Sequence, residues 1–272
     1  MAGSEQRKPW RKVLYANEDY PDNYTDASFL EELKKNVNER RVSLTTAIAG
    51  AALVSQQLCL IITFCLGYVL LHLAVVGPTA FLGTCCLLGA CGYALYTPPL
   101  IKLPSHARSV IIFFALGYLL SPVLKTLTES VSTDTIYATT VFTMAVHLVF
   151  FDYGVKAFIV SSSLSINASV FGSLCLASRL ATPYHAFVLL AWAVHCFVLC
   201  PVLLAKLGHP PLITVIIIII CTFMLYQFSP SLVLLFISAV VFINFICPYL
   251  FVRWHTYKDN IYGPWDEAVV TS

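Results

Sequence analysis

Eight apolar runs, each near the length that crosses a bilayer, divide this chain and leave little room for any other kind of fold. They fall at about 45–73, 79–96, 109–128, 135–151, 157–178, 185–205, 212–228 and 231–252. A helix rises 1.5 Å per residue, so about 20 apolar residues cover the hydrocarbon core. The stretch "ITVIIIIICTF" at 213–223 is the plainest of them. The second run is short and glycine-rich, and the fourth ends in polar residues. Composition agrees: 58% of residues are hydrophobic and 11% are charged, against roughly 25% charged in a soluble domain. The mean hydropathy is +0.80. These values exclude a water-soluble globule and exclude disorder. The runs are also too long and too continuously apolar for alternating barrel strands, whereas a helix satisfies its own backbone in lipid. The expected fold is all-α: a polytopic membrane bundle of about eight transmembrane helices, with a short amphipathic N-terminal helix. Residues 1–43 are expected to form an aqueous arm, 44–253 the bundle and 254–272 a tail.

Charge sets the orientation. With eight spans, one side collects Arg7, Lys8, Arg11, Lys12, Lys34, Lys35, Arg40, Arg41, Lys102, Arg108, Lys156, Lys206, Arg253 and Lys258. The other side receives Lys125 and Arg179, a split of 14 against 2 that uses all 16 basic residues. Basic residues stay cytosolic, so both termini are expected in the cytosol. The first 43 residues are polar and charged, so the first span is expected to act as an uncleaved signal anchor. The ten cysteines lie mostly within apolar runs and lack zinc-site spacing, which marks them as reduced packing residues.

The arm contains "DASFLEELKKNVNERR" at 26–41. Ser28 and Glu31 have capping-box spacing, and Phe29, Leu30, Leu33 and Val37 share one helical face. Such a helix would lie flat at the interface, with Lys34, Lys35, Arg40 and Arg41 near anionic headgroups or a partner. Equally, it would be a basic topology anchor. The tail carries "GPWDEA" at 263–268, where a stiff turn presents Trp265 beside two acids as a contact for a partner.

The sequence has no Walker-type phosphate loop, no GxGxxG turn, no HExxH and no GxSxG. No aqueous segment exceeds the first 43 residues, so a nucleotide-binding α/β domain does not fit. The polar groups that remain sit in or beside the spans. "SPVLKTLTESVSTDTIYA" at 121–138 places Lys125 and Glu129 one turn apart, at ion-pair spacing, and Asp134 as an N-cap for the fourth span. Ionisable groups at membrane depth are costly and should face protein or a wet cavity. The stretch reads as a self-satisfied turn, a headgroup pocket or a polar seam for another subunit. His147 reads as a hydrogen-bonded packing residue rather than a metal ligand. Asp152 and Lys156 are placed to pair across a turn, or Lys156 to meet a lipid phosphate. The span at 159–180 is serine-rich and suits close helix packing; its Asn167 is placed to bond a neighbouring helix and its Arg179 to snorkel. No catalytic residue, metal site, cofactor or nucleic-acid partner is expected.

The strings "KVLY", "PDNY", "FLEELKKN", "QQLC", "SPVLKTLTESVSTDTIYA", "FFDYG", "CLASRL" and "GPWDEA" together resemble the PIG-C family, the C subunits of phosphatidylinositol N-acetylglucosaminyltransferase. The resemblance runs from Val13 to Ala268. It implies a multi-span protein of the endoplasmic reticulum membrane within a complex. That complex moves N-acetylglucosamine from UDP-N-acetylglucosamine to phosphatidylinositol, the first step of glycosylphosphatidylinositol-anchor synthesis. It implies partner subunits, one of which holds the nucleotide and the catalytic site, and phosphatidylinositol as a lipid partner. The loop at 97–108 and the seventh span depart from the pattern, and no role is carried onto them. The chain alone is then expected to be inactive.

Two other readings stay open on the residues. One is a small transporter or lipid scramblase using Lys125, Glu129, Asn167 and the serines as a polar path. The other is a contribution of Asp152 as a general base in trans. The topology predicts that Ser132→Cys reacts with an impermeant thiol reagent only from the lumenal side of sealed microsomes. It also predicts that the sequons at Asn23 and Asn167 carry no glycan, so endoglycosidase leaves the mobility unchanged.

Overall fold

The computed structural model describes Pro21, Tyr24, Lys34–Lys35 and residues 42–96, 103–154, 161–208, 211–255, 257–258 and 261–262. Eight helices account for nearly all of them. They are α1 (Leu44–His72), α2 (Pro78–Tyr96), α3 (Leu103–Thr126), α4 (Thr133–Phe150), α5 (Ser162–Ala177), α6 (Pro183–Lys206), α7 (Pro211–Tyr226) and α8 (Pro230–His255). Each falls on one of the eight apolar runs. Five of the helices are long and apolar enough to cross a membrane by length and composition, namely α1, α2, α3, α6 and α8. The helices α2, α6, α7 and α8 each begin on a proline. Its fixed φ suits the first turn, and its missing N–H is one that the helix start leaves unpaired anyway.

Two compact units make up the chain: Leu44–Phe251, and a second formed by Met1–Ser43 with Val252–Ser272. In the second, Lys34–Lys35 pair antiparallel with Ile261–Tyr262, Lys34 opposite Tyr262 and Lys35 opposite Ile261. Extended backbone at these two lysines replaces the helix read from the sequence there, because cross-strand hydrogen bonds with the tail satisfy the same amides. The remainder of 26–41, including Arg40 and Arg41, lies outside the described residues, as do Lys156 and Trp265.

Within Leu44–Phe251, α1 is the central helix. One cluster packs its Ile61, Phe64, Tyr68 and Leu71 against Phe81 and Cys85 of α2 and Phe187, Val188, Leu189 and Phe197 of α6. The Phe64 and Phe197 ring centroids are 5.0 Å apart. A second cluster joins Cys59 and Leu66 of α1 to Cys221 and Leu225 of α7 and Phe236 of α8. The outward faces are inverted relative to a soluble protein: Leu119, Val141 and Leu234 are each more than 70% exposed. Lipid, not water, suits such a surface.

The α4–α5 pair is built on small residues. Ser165, Ala168, Ser169, Gly172 and Ser173 of α5 are buried, which lets the two backbones approach closely. All ten cysteines are free thiols, and Cys59, Cys85, Cys175, Cys196 and Cys221 are buried. Both long helices α6 and α8 widen by one residue over five-residue π-helical stretches, His195–Leu199 and Phe242–Ile246. Each stretch runs directly into a Cys-Pro step, Cys200-Pro201 and Cys247-Pro248. A proline offers no N–H to the carbonyl four residues back and its ring pushes that carbonyl away. Accordingly the preceding cysteine N–H bonds five residues back, Cys200 to His195 O and Cys247 to Phe242 O.

A Cβ at Gly172 would sit 2.6 Å from Thr143 Oγ1 and 2.9 Å from Met144 Cε, whereas one at Gly50 would meet nothing within 4 Å. Overpacking costs about 1–3 kcal/mol. Gly172→Val is therefore expected to lower the unfolding temperature in detergent, and Gly50→Val to leave it nearly unchanged.

Candidate functional site

Three consecutive residues of α1, Ser55, Gln56 and Gln57, are buried in the apolar run "ALVSQQLCL". Successive helical positions are turned by about 100°, so the three side chains sweep across three neighbouring helices. Ser55 Oγ accepts from Asn244 Nδ2 of α8 at 2.6 Å. Gln56 Nε2 donates to Thr214 Oγ1 of α7 at 2.5 Å. Gln57 Nε2 and His147 Nε2 of α4 are 2.5 Å apart. His147 Nδ1 lies 2.9 Å from the Ser165 carbonyl of α5. A carbonyl only accepts, so Nδ1 carries the proton and Nε2 is left to accept from the Gln57 amide. Ser165 Oγ in turn donates to the His147 carbonyl at 3.1 Å. One tripeptide thus ties α1 to α8, α7, α4 and, through His147, to α5, with no ionised group in the network. The π-helical widening of α8 contains Asn244 and so takes part in aiming it at Ser55.

Above this hub lies a cavity of about 350 Å³ lined by Leu53, Gln56 and Gln57 of α1, Phe151–Gly154 after α4, and Pro201, Leu204 and Ala205 of α6. That volume is at the lower end of ligand pockets, about 300–1,000 Å³. Asp152 forms the turn at its rim: its Oδ1 accepts from the Gly154 N–H at 2.9 Å. The turn closes because Gly154 takes φ +77°, which a side chain would oppose. Tyr153 donates its hydroxyl to Leu148 O at 2.6 Å, and burial pushes that phenol's pKa up. The cavity is at the end of the bundle where α1 and α5 begin and α4 and α6 finish.

The polar stretch at 121–138 sits at the opposite end and is cross-locked. Lys125 does not pair with Glu129; its Nζ donates to Ala181 O at 2.8 Å. Arg179 does not simply extend outward; its guanidinium donates to Thr128 O and, at 3.3 Å, to Ser178 Oγ. The α3–α4 turn and the α5–α6 turn therefore hold each other, each cation satisfied by a carbonyl of the other's turn. The cap of α4 is Ser132, whose Oγ accepts from Thr135 N at 3.3 Å, and not Asp134, which lies in the first turn. Capping favours the hydroxyl two residues earlier because its backbone is extended there, as a cap requires. Glu129 and Asp134 are exposed.

Asn167 is exposed on α5 rather than bonded to a neighbouring helix, since the buried face of α5 is occupied by the serines. Ser169 and Ser173 bond back into their own helix, to Ile166 O and Ser169 O. A polar path needs Lys125, Glu129, Asn167 and the serines to line one channel. They lie at different ends and on different faces, which removes the basis for a transporter or scramblase. His147 is fully buried and hydrogen-bonded, as a packing residue should be. Among the described residues no group of three or more His, Cys, Asp or Glu is placed to hold a metal. Hydropathy and motif spacing do not single out Ser55, Gln56, Thr214 or Asn244. The available signal was three adjacent polar residues inside an apolar span, and the two Cys-Pro steps.

The fold and site define a class: a polytopic helical membrane protein organised around an uncharged polar hub, with a small, mostly apolar cavity at one end. The chain belongs to the GPI2 family, described as phosphatidylinositol N-acetylglucosaminyltransferase, whose model matches residues 10–266. It is 40% identical to the human C subunit of phosphatidylinositol N-acetylglucosaminyltransferase, over 96% of this chain and 93% of that protein. It is 36% identical to the putative C subunit of the same transferase from Dictyostelium discoideum, over 97% of this chain and 80% of that protein. It is 28% identical to the GPI2 subunit of Saccharomyces cerevisiae, over 96% and 97%. No solved structure matches the chain.

Leaving a buried polar partner unpaired costs about 1–3 kcal/mol. Gln57→Leu and His147→Leu are each expected to destabilise the bundle by about that much. The double variant should lose less than the sum, because both single changes orphan the same bond. Thermal unfolding of all four proteins in one detergent measures the difference.

Proposed function

We propose that this chain is a non-catalytic membrane subunit of the complex that transfers N-acetylglucosamine from UDP-N-acetylglucosamine to phosphatidylinositol. It scaffolds the catalytic glycosyltransferase subunit and helps position the lipid acceptor. The observation that carries this reading is the family match over residues 10–266, joined to a body made almost wholly of membrane helix. A bundle whose interior polar groups are spent on tying helices together has little with which to grip an activated sugar.

The complex acts in the endoplasmic reticulum membrane, with both termini of this chain in the cytosol. The 14-to-2 division of basic residues supports that orientation, and the pairing of Lys34–Lys35 with Ile261–Tyr262 is consistent with termini on one side. In this orientation the cavity bounded by α1, α6 and the 151–154 turn opens at the cytosolic end, where a nucleotide sugar is available. The locked turns at Lys125 and Arg179 then face the lumen, remote from the chemistry. Lys34, Lys35, Arg40, Arg41 and Trp265 are the candidates for contact with partner subunits or anionic headgroups, and Lys156 for contact with a lipid phosphate.

Cells lacking this chain are expected to make no N-acetylglucosaminyl-phosphatidylinositol, with synthesis restored by re-expression. The purified chain, given donor and lipid, is expected to form no product by itself. Normal synthesis in the depleted cells would overturn the assignment, and robust transfer by the lone chain would overturn its non-catalytic part.

A further inference from the structure

We infer that the clasp between the α3–α4 and α5–α6 turns binds the phosphate of an anionic phospholipid, held by Lys125 and Arg179 together. The clasp lies at the opposite end of the bundle from the Asp152 cavity. The inference goes beyond the subunit reading and does not rest on it.

The two cations reach the clasp from different helices. Lys125 is in the last turn of α3, and Arg179 is two residues past the end of α5. Lys125 Nζ donates across to Ala181 O at 2.8 Å, and the Arg179 guanidinium donates back to Thr128 O. These crossed bonds set both charged heads in the gap between the same two turns.

The bonds leave donors over. An ammonium has three N–H donors and a guanidinium five. The described bonds use one on Lys125 and two on Arg179. Both residues are partly exposed rather than sealed in the bundle, so the spare donors have access to a ligand. A carbonyl satisfies a hydrogen bond without cancelling the charge. Each head thus keeps a full positive charge and free N–H groups, the combination that recognises a phosphate. Thr128 Oγ1, in the same turn, is buried and has no partner among the described residues. Glu129 and Asp134 are exposed close by in sequence, yet both cations turn to carbonyls.

Depth favours a lipid over the carboxylate of a protein partner. The 24 residues of α3 make about 36 Å of helix against a hydrocarbon core of about 30 Å, so its last turn reaches the headgroup layer. The surface beside the clasp is apolar and open: Val123, Leu127 and Val141 are each at least 60% exposed. α3 is seated on α6 through Phe114 and Tyr118 against Phe187, which leaves its outer faces to acyl chains. A phospholipid matches both parts at once, phosphate at the clasp and tails along α3 and α4. A carboxylate matches only the first. Two cations bonded to carbonyls also favour a headgroup of net negative charge over a zwitterionic one, whose ammonium they repel.

The test titrates the full chain in detergent with phosphatidylglycerol or phosphatidylcholine and counts retained lipid by native mass spectrometry. Phosphatidylglycerol is expected to bind about tenfold more tightly than phosphatidylcholine. Lys125→Gln and Arg179→Gln each keep a donor for the facing carbonyl and lose the charge. Each is expected to weaken phosphatidylglycerol about tenfold, while Lys125→Arg retains it. Millimolar inorganic phosphate is expected not to compete, because a free ion lacks the tails. Phosphatidylglycerol with a diazirine on its headgroup should label residues 125–129 or 178–182, in the lone chain and in the assembled complex.

The inference is overturned if both glutamine variants, folded by circular dichroism, bind phosphatidylglycerol within about twofold of the parent. Equal binding of phosphatidylcholine overturns it too, and displacement by inorganic phosphate makes the clasp a site for a free anion instead. If a variant fails to fold, headgroup labelling of the parent decides, and label confined to other segments counts against the clasp. Labelling of the lone chain that vanishes in the complex would give the cations to a partner's carboxylate. None of these readouts uses transferase activity, so their failure is distinct from failure of the subunit reading.

Discussion

Ser55, Gln56 and Gln57 make the interaction on which the rest of the bundle depends. Between helices in lipid there is no hydrophobic driving force, because the tails are as apolar as the side chains. What fixes one helix against another is close packing and the occasional hydrogen bond that lipid cannot replace. Here three adjacent residues of α1 reach Asn244, Thr214 and His147 on three separate helices. His147 then reaches Ser165 on a fourth. A rotation of α1 by one position would break all three bonds together, so the tripeptide sets both the neighbours of α1 and its angular register.

The same network borders the cavity, whose wall also carries Leu53, Leu204, Pro201 and the 151–154 turn. The proline steps contribute in a second way. Pro201 and Pro248 each follow a cysteine and each is preceded by a one-residue widening of its helix. The widening in α6 comes directly before the cavity's Pro201, and the one in α8 carries Asn244. Helices that depart from α geometry often do so at functional sites. In this chain one departure borders the cavity and the other completes the hub beneath it.

The far end of the molecule is organised differently. Lys125 and Arg179, the two basic residues on that side, are each taken up by a carbonyl of the other's turn. That exchange satisfies both cations without an acidic partner and closes the α3–α4 and α5–α6 connections. A chain with charges so sparingly used spends these two on joining turns. At the cavity end it presents Asp152. The two ends of the bundle thus differ: carbonyl-bound cations join turns at one, and the exposed Asp152 caps a turn at the other.

The number, length and order of the helices were legible in the sequence, because each apolar run is a local property that lipid reads directly. The small-residue face of α5, the buried His147 and five buried cysteines were legible for the same reason, whereas Cys86 and Cys91 are exposed rather than packed. Family membership was legible in strings such as "SPVLKTLTESVSTDTIYA". What each polar residue bonds was not. Lys125 and Glu129 are one turn apart, yet Lys125 bonds Ala181, 56 residues away. Asn167 is an obvious candidate for an interhelical bond, yet it is exposed on α5. Lys34 and Lys35 lie in an amphipathic pattern, yet pair as strand with the tail. Local sequence determines where a helix begins and ends and how greasy it is; it leaves the rotation of that helix about its own axis free. Only packing against the other helices fixes that rotation, and with it the hub, the cavity and the clasp between the turns.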